Sequence, residues 1–289
     1  MGLSPNTTYY LFVRAVNNNG VGTSFVILGS TATEAAEPVG PAAFGGMGVS
    51  SFTASWGAGG NPLSITTYTV EASSSSQFGG GALVFSVSTV SSAGPAATFT
   101  TLLANTTYHL RALALNHPGV PTVLAGLGSI STLAQPPASA VSTFPVVYAA
   151  SMTVIWETGG NPLSVTTYTV VLSTGEGYPN GYSGNVSLST APAGAPPSAS
   201  PAGLLANTTY FLFVEAVNNV GVGSGYAVLG STVTLALEPA SAASTFPVVG
   251  NASLSARWES GGNGPGTLYE AWLSTETPLS TTHAGNVTV

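Results

Sequence analysis

The chain has 289 residues, room for two to three domains, of which 44% are hydrophobic and only 4% charged. That apolar content excludes wholesale disorder, and three Arg with no Lys at a net charge of −7 exclude the dense cationic surface that a phosphate backbone or an anionic membrane attracts. The absence of Cys and Asp removes disulfide bracing, thiol chemistry and Asp-rich calcium loops, and charge this sparse keeps copies apart poorly unless glycan or assembly covers the surface.

Read in chain order, the elements are short strands. Tyr9, Leu11, Val13 and Ala15 alternate with outward residues, then Phe52, Ala54 and Trp56, then Tyr68, Val70 and Ala72, then Tyr108, Leu110, Ala112 and Ala114. The cycle returns with Met152, Val154 and Trp156, with Tyr168, Val170 and Leu172, with Tyr210, Leu212, Val214 and Ala216, and with Leu254, Ala256 and Trp258. Period-two alternation between Gly, Pro and Asn turns buries one face of each strand and points to a sandwich or barrel. No segment keeps a helical period, and the Ser, Thr and Gly content weakens helices. No apolar run reaches the ~18–20 residues of a spanning helix, so membrane insertion is not expected. The start, Met1-Gly2-Leu3-Ser4-Pro5, lacks the basic and apolar segments of a secretion signal.

The pattern is a repeat of whole-domain size. Asn61-Pro62-Leu63-Ser64-Ile65-Thr66-Thr67-Tyr68-Thr69-Val70 recurs almost verbatim at Asn161 to Val170, an offset of 100. Asn6-Thr7-Thr8-Tyr9 recurs at Asn105 and at Asn207, and Ser142-Thr143-Phe144-Pro145-Val146-Val147 recurs at Ser244. Leu3-Ser4-Pro5-Asn6-Thr7-Thr8-Tyr9, followed by Val13, Ala15, Asn17 and Gly20, resembles the fibronectin type III domain, as do Trp56 and Trp156 and the Tyr-x-Val pairs at Tyr68 and Tyr168. The copy at Leu204 has Ala206 in place of the Pro, and the copy at Leu102 is looser, with Ala112 in place of the Val. The resemblance implies an all-β fold of tandem immunoglobulin-like sandwiches. Tyr9, Tyr108 and Tyr210 would be the tyrosine corners, each hydroxyl tying the preceding loop to its sandwich. It also implies a non-catalytic protein, extracellular or at the cell surface, with no cofactor.

Motif order sets the expected organisation. Glu37-Pro38, Gln135-Pro136-Pro137 and Glu238-Pro239 each open a unit. Residues 1–35 read as the C-terminal half of a domain, 36–134 and 135–236 as whole domains, and 237–289 as the N-terminal part of another. Two readings remain open: a window of a longer repetitive protein, or head-to-tail complementation in which each chain completes its neighbour's split domain. The expected partners are therefore further copies of the chain or neighbouring domains of one long chain. The expected role is structural, a repeat segment of a surface filament, fibre or sheath. The alternative is a spacer, or carbohydrate- or protein-binding modules, of a larger secreted adhesin or enzyme.

Candidate functional residues follow from strand phase and local motifs. Tyr10, Phe12, Phe211 and Phe213 take the outward phase, a candidate assembly face, although pairing with a neighbouring strand on the same face would also place them there. Trp272 takes the outward phase as well, as a contact residue or beside a bulge. Asn6, Asn105, Asn185, Asn207, Asn251 and Asn286 head Asn-x-Ser/Thr triplets and are candidate N-glycosylation acceptors. Three of them lie in the corner turn, where Asn-Thr also suits the turn chemistry. His109, His117 and His283 fall in different contexts, and no nucleophile-elbow, zinc or phosphate-loop spacing surrounds them, so no catalytic or metal residue is assigned.

Overall fold

β-branched and aromatic residues at alternate positions, punctuated by Gly, Pro and Asn, favour pleated strands joined by turns. The computed structural model describes residues 2–90, 92–178, 185–190, 196–279 and 287–288, and every regular element among them is a β-strand. His283 and Asn286 lie outside the described residues. The chain opens with an antiparallel hairpin, β1 (Thr8–Val13) and β2 (Val26–Ala32).

Two sandwiches follow. In the first, β3 (Val39–Gly45), β4 (Phe52–Gly57) and β7 (Ala96–Phe99) form one sheet in the order β3-β4-β7. Its second sheet runs β6-β5-β8-β9, from β5 (Thr67–Ser73), β6 (Val84–Thr89), β8 (Thr107–Leu115) and β9 (Ala125–Ser131). In the second sandwich, β10 (Ala138–Ser139), β11 (Val146–Val147) and β15 (Ser198–Ala199) pair with β12 (Met152–Glu157). Opposite lies β14-β13-β16-β17, from β13 (Thr167–Ser173), β14 (Val186–Thr190), β16 (Thr209–Val217) and β17 (Ala227–Val233). This is the all-β fold of tandem sandwiches that the fibronectin type III resemblance implies.

The last segment carries six short strands: β18 (Ala240–Ser241), β19 (Val248–Val249), β20 (Leu254–Ser255), β21 (Trp258–Glu259), β22 (Trp272–Leu273) and β23 (Val287–Thr288). They pair as β18-β21, β19-β20 and β22-β23. The alternation of Leu254, Ala256 and Trp258 predicts one continuous strand, but the structure divides it between β20 and β21. Leu254 and Trp258 stay exposed, whereas Phe52, Met152 and Trp156 in the continuous strands β4 and β12 are buried.

Each core is built on a Trp and a Tyr from strands that follow one another in sequence but lie in opposing sheets. Trp56 and Tyr68 meet edge to face with ring centroids 6.1 Å apart, and Trp156 and Tyr168 do so at 5.3 Å. Such aromatic pairs add about 0.5–1.5 kcal/mol beyond their area burial. Phe52, Phe99 and Tyr108 close the first core. One irregularity recurs in all three hairpins after the corner: the register shifts beside Leu11, Leu110 and Leu212, each opposite a glycine at positive φ, Gly29, Gly128 or Gly230. A side chain there would be strained, so the glycine fixes the bulge and with it the twist of the sheet edge.

Burial separates the complete sandwiches from the flanking segments. Leu110 and Leu212 are sealed, whereas Leu11 at the same position is 58% exposed; Trp156 is sealed and Trp258 is 40% exposed. Trp156→Ala should therefore cost its sandwich about 3–5 kcal/mol in chemical denaturation, while Trp258→Ala in the isolated chain should cost far less. Equal losses would contradict this account of the cores.

Candidate interdomain joint and outer sheet face

The joint starts at the tyrosine corner. The hydroxyl of Tyr9 accepts from Ser4 N–H at 2.8 Å, that of Tyr108 from Leu103 N–H at 2.9 Å, and that of Tyr210 from Leu205 N–H at 2.9 Å. These bonds hold the turn before the strand. Asn6, Asn105 and Asn207 occupy that turn at φ of 44°, 43° and 47°, a left-handed conformation that Asn enters more readily than most side chains.

That conformation aims the amide across the boundary into the next unit. Asn6 Nδ2 donates to Thr66 Oγ1 at 2.8 Å, Asn105 Nδ2 to Thr166 Oγ1 at 2.7 Å, and Asn207 Nδ2 to Thr267 Oγ1 at 2.8 Å. The Oδ1 side is used as well: His117 N–H donates to Asn6 at 2.6 Å and Asn219 N–H donates to Asn105 at 2.7 Å. The accepting threonines are fixed in turn, with Thr66 and Thr166 each donating 2.7 Å bonds to Pro62 and Pro162 carbonyls.

A second asparagine grips the linker. Asn61 Oδ1 accepts from Ala36 N–H at 2.7 Å, while its Nδ2 donates to the Ala36 carbonyl at 2.8 Å and to the Ala58 carbonyl at 2.7 Å. Asn161 holds Gln135 and Asn263 holds Leu237 in the same way. A third asparagine closes the arrangement from the loop after the corner strand. Asn116 Nδ2 reaches back to the Thr33 carbonyl at 3.4 Å and Asn218 Nδ2 to the Thr132 carbonyl at 3.1 Å. The backbones also pass closely. A Cβ on Gly59, Gly159 or Gly261 would run into the carbonyl oxygen of Glu37, Pro136 or Glu238, so the linker can lie flat only over glycine.

This geometry corrects part of the glycosylation expectation. Asn6 and Asn105 are buried, and the Nδ2 atom to which a sugar would be attached is already bonded to the neighbouring unit. A glycan there and this joint are mutually exclusive. Asn207 carries the same bond but is half-buried, Asn185 is half-buried, and Asn251 is exposed. Asn286 lies outside the described residues.

The outer face of the larger sheet is built by matched pairs. In the first sandwich Glu71 lies opposite Arg111, and the carboxylate accepts from Arg111 Nε at 2.7 Å. Phe78, from the loop after β5, stacks over the guanidinium at 4.0 Å. In the second sandwich Val171 lies opposite Phe213, and Tyr178 from the corresponding loop packs on Phe213 at 5.3 Å and on Tyr226 at 4.9 Å. Burial, then the bond and charge of Tyr178 and the charge of Glu215, push the Tyr226 hydroxyl up to about 12.

Phe213 is thus not the outward contact residue that strand phase suggests. It faces away from the core, but the loop folds back and leaves it 2% exposed. Phe211 is half-buried, while Tyr10 and Phe12, in the first hairpin, are exposed. Trp272 is half-buried, and its Nε1 donates to Glu270 at 2.6 Å.

Among known proteins, no family profile and no curated sequence matches the chain. Solved structures similar in part to the chain include two tandem arrays. The FN1–FN3 domains of chicken CNTN1 align at 19% identity over 80% of this chain and 78% of that one, with a TM-score of 0.28. A segment of two fibronectin type III domains from chicken tenascin aligns at 14% identity over 68% of this chain and 99% of that one, with a TM-score of 0.42.

Asn105→Ala removes the acceptor of Asn219 N–H and the donor to Thr166 while leaving both cores untouched. Leaving buried partners unsatisfied should cost the coupling between the two sandwiches about 1–3 kcal/mol. Small-angle scattering should show a broadened distribution of interdomain distances in the variant, with both sandwiches still folded. An unchanged scattering profile would show that the corner asparagine does not hold the joint.

Proposed function

We propose that the chain is a non-catalytic structural array, a run of sandwiches locked joint to joint into a stiff segment of an extracellular or cell-surface filament, fibre or sheath. The observation that carries this reading is the recurrence of one lock at successive boundaries: a corner asparagine onto a threonine of the next unit, and a second asparagine onto the linker. A flexible spacer between binding modules gains nothing from such locks, since relative domain motion is the default between domains joined by short linkers. Selection for a fixed spacing and angle does explain them.

Composition supports the same role. Sparse charge favours association over dispersal, and exposed Ser and Thr keep the surface polar without the long-range repulsion that separates highly charged chains. The apolar cores and asparagine-built joints need no disulfide, and the chain has no Cys.

Electron microscopy of the native material, with antibody labelling of intact cells, is the direct test. Label should run along extended surface structures at a regular repeat. Label confined to the cell interior, or to isolated globular particles, would contradict the proposal.

A further inference from the structure

The three asparagines that grip the linkers make one set of bonds. Asn263 Oδ1 accepts from Leu237 N–H at 2.7 Å, and its Nδ2 donates to the Leu237 carbonyl at 2.8 Å and to the Ser260 carbonyl at 2.7 Å. Asn61 bonds to Ala36 and Ala58 in that pattern, and Asn161 to Gln135 and Thr158. The residue after each asparagine is placed alike as well. The carbonyls of Pro62, Pro162 and Gly264 accept the hydroxyls of Thr66, Thr166 and Thr267 at 2.7, 2.7 and 2.8 Å. What differs is the backbone nitrogen of that residue. Pro62 and Pro162 carry no N–H, whereas Gly264 has one and no side chain to crowd it.

This difference decides the chemistry open to the side chain. Asparagine is among the thermolabile residues, because the nitrogen of the next residue can attack its side-chain carbonyl carbon once that nitrogen has lost its proton. Proline has no proton there to lose, so Asn61 and Asn161 are protected. Glycine puts the least bulk in the way of the attack.

We propose that Asn263 is a deamidation site and that its conversion releases the joint it forms on Leu237. Gly264 N gives its proton to water or hydroxide and bonds to Asn263 Cγ. The Cγ–Nδ2 bond then breaks, Nδ2 leaves as ammonia, and a cyclic imide remains. Water opens the imide at either carbonyl and leaves aspartate or isoaspartate at position 263. Water is the one co-reactant, and nothing is oxidised or reduced. The inference stands on the joint itself and holds whatever role the array has.

Either product removes the donor to Leu237 and Ser260 and sets a carboxylate oxygen against both carbonyls. Leu237 N–H keeps an acceptor, but two carbonyls lose their partner and face a like charge, which works against closure. Isoaspartate also lengthens the backbone by one carbon, shifting the turn that presents Thr267 to Asn207 Nδ2 at 2.8 Å. The closed joint restrains the reaction, because the amide is held on both its oxygen and its nitrogen. Attack requires the side chain to rotate out of those bonds, so the rate follows the fraction of time the joint is open.

Peptide mass spectrometry of the intact chain held at mildly alkaline pH tests this. Asn263 should convert with time while Asn61 and Asn161 do not. Asn19, followed by Gly20 in an exposed turn, gives the rate of an exposed Asn-Gly in the same sample, and Asn263 should lag behind it. Asn207→Ala and Thr267→Ala each remove the corner bond from one side and should speed conversion at Asn263 about tenfold, the effect of stranding one partner. Gly264→Pro should abolish conversion; a Cβ there would lie 4.0 Å from the Ala206 carbonyl oxygen, an ordinary contact. Asn263→Asp should broaden the interdomain distances seen by small-angle scattering, which Gly264→Pro should not, with the melts of both complete sandwiches unchanged. An Asn263 that never converts, or that converts as fast as Asn19 and ignores the two joint variants, overturns the proposal. So does an Asn263→Asp chain whose scattering matches the wild type, because the modification would then release nothing.

Discussion

At each boundary an asparagine held in the left-handed region turns its amide across the gap between two sandwiches, and the arrangement of the array depends on that side chain. The sandwiches need nothing from each other to fold, because each complete one has its own Trp–Tyr core. What the lock fixes is their relation. Asn105 bonds to Thr166 and to Asn219 N–H, and Asn161 binds both polar groups of Gln135. Each bond contributes only about 0.5–1.5 kcal/mol net. Breaking one strands buried partners, however, so the set acts as a unit rather than as separate weak contacts.

The lock also explains where charge is absent. A joint made of backbone groups, amides and hydroxyls needs no ion pair, and its bonds are insensitive to salt in a way that surface charge pairs are not. The ion pair of Arg111 with Glu71 sits on the outer sheet face rather than at a boundary. That face is where the repeats diverge. A charged pair under Phe78 in one sandwich becomes an apolar pair under Tyr178 in the next, each internally consistent.

Much of this was legible in the sequence. Alternation and the Trp and Tyr positions announce sandwiches, because a buried sheet face imposes a period of two whatever the surroundings. The joint was not legible, for a physical reason. Asn-Thr-Thr at the corner serves turn geometry, glycan attachment and interdomain bonding equally well as a string, and only three-dimensional placement separates them. A signal was present in Asn61, Asn161 and Asn263, each followed within five residues by a Thr that accepts a bond from the preceding unit. Phe213 shows the complementary limit: strand phase gives its direction, but a loop folding back from β13 decides its burial.

The central claim is that the locks make neighbouring sandwiches one rigid body. Backbone nitrogen relaxation in solution tests it without any substitution, because the rotational diffusion of each sandwich can be fitted separately. Residues 36–134 and 135–236 should share one strongly anisotropic diffusion tensor. Two independent tensors, each with the faster tumbling of a single sandwich, would contradict the account.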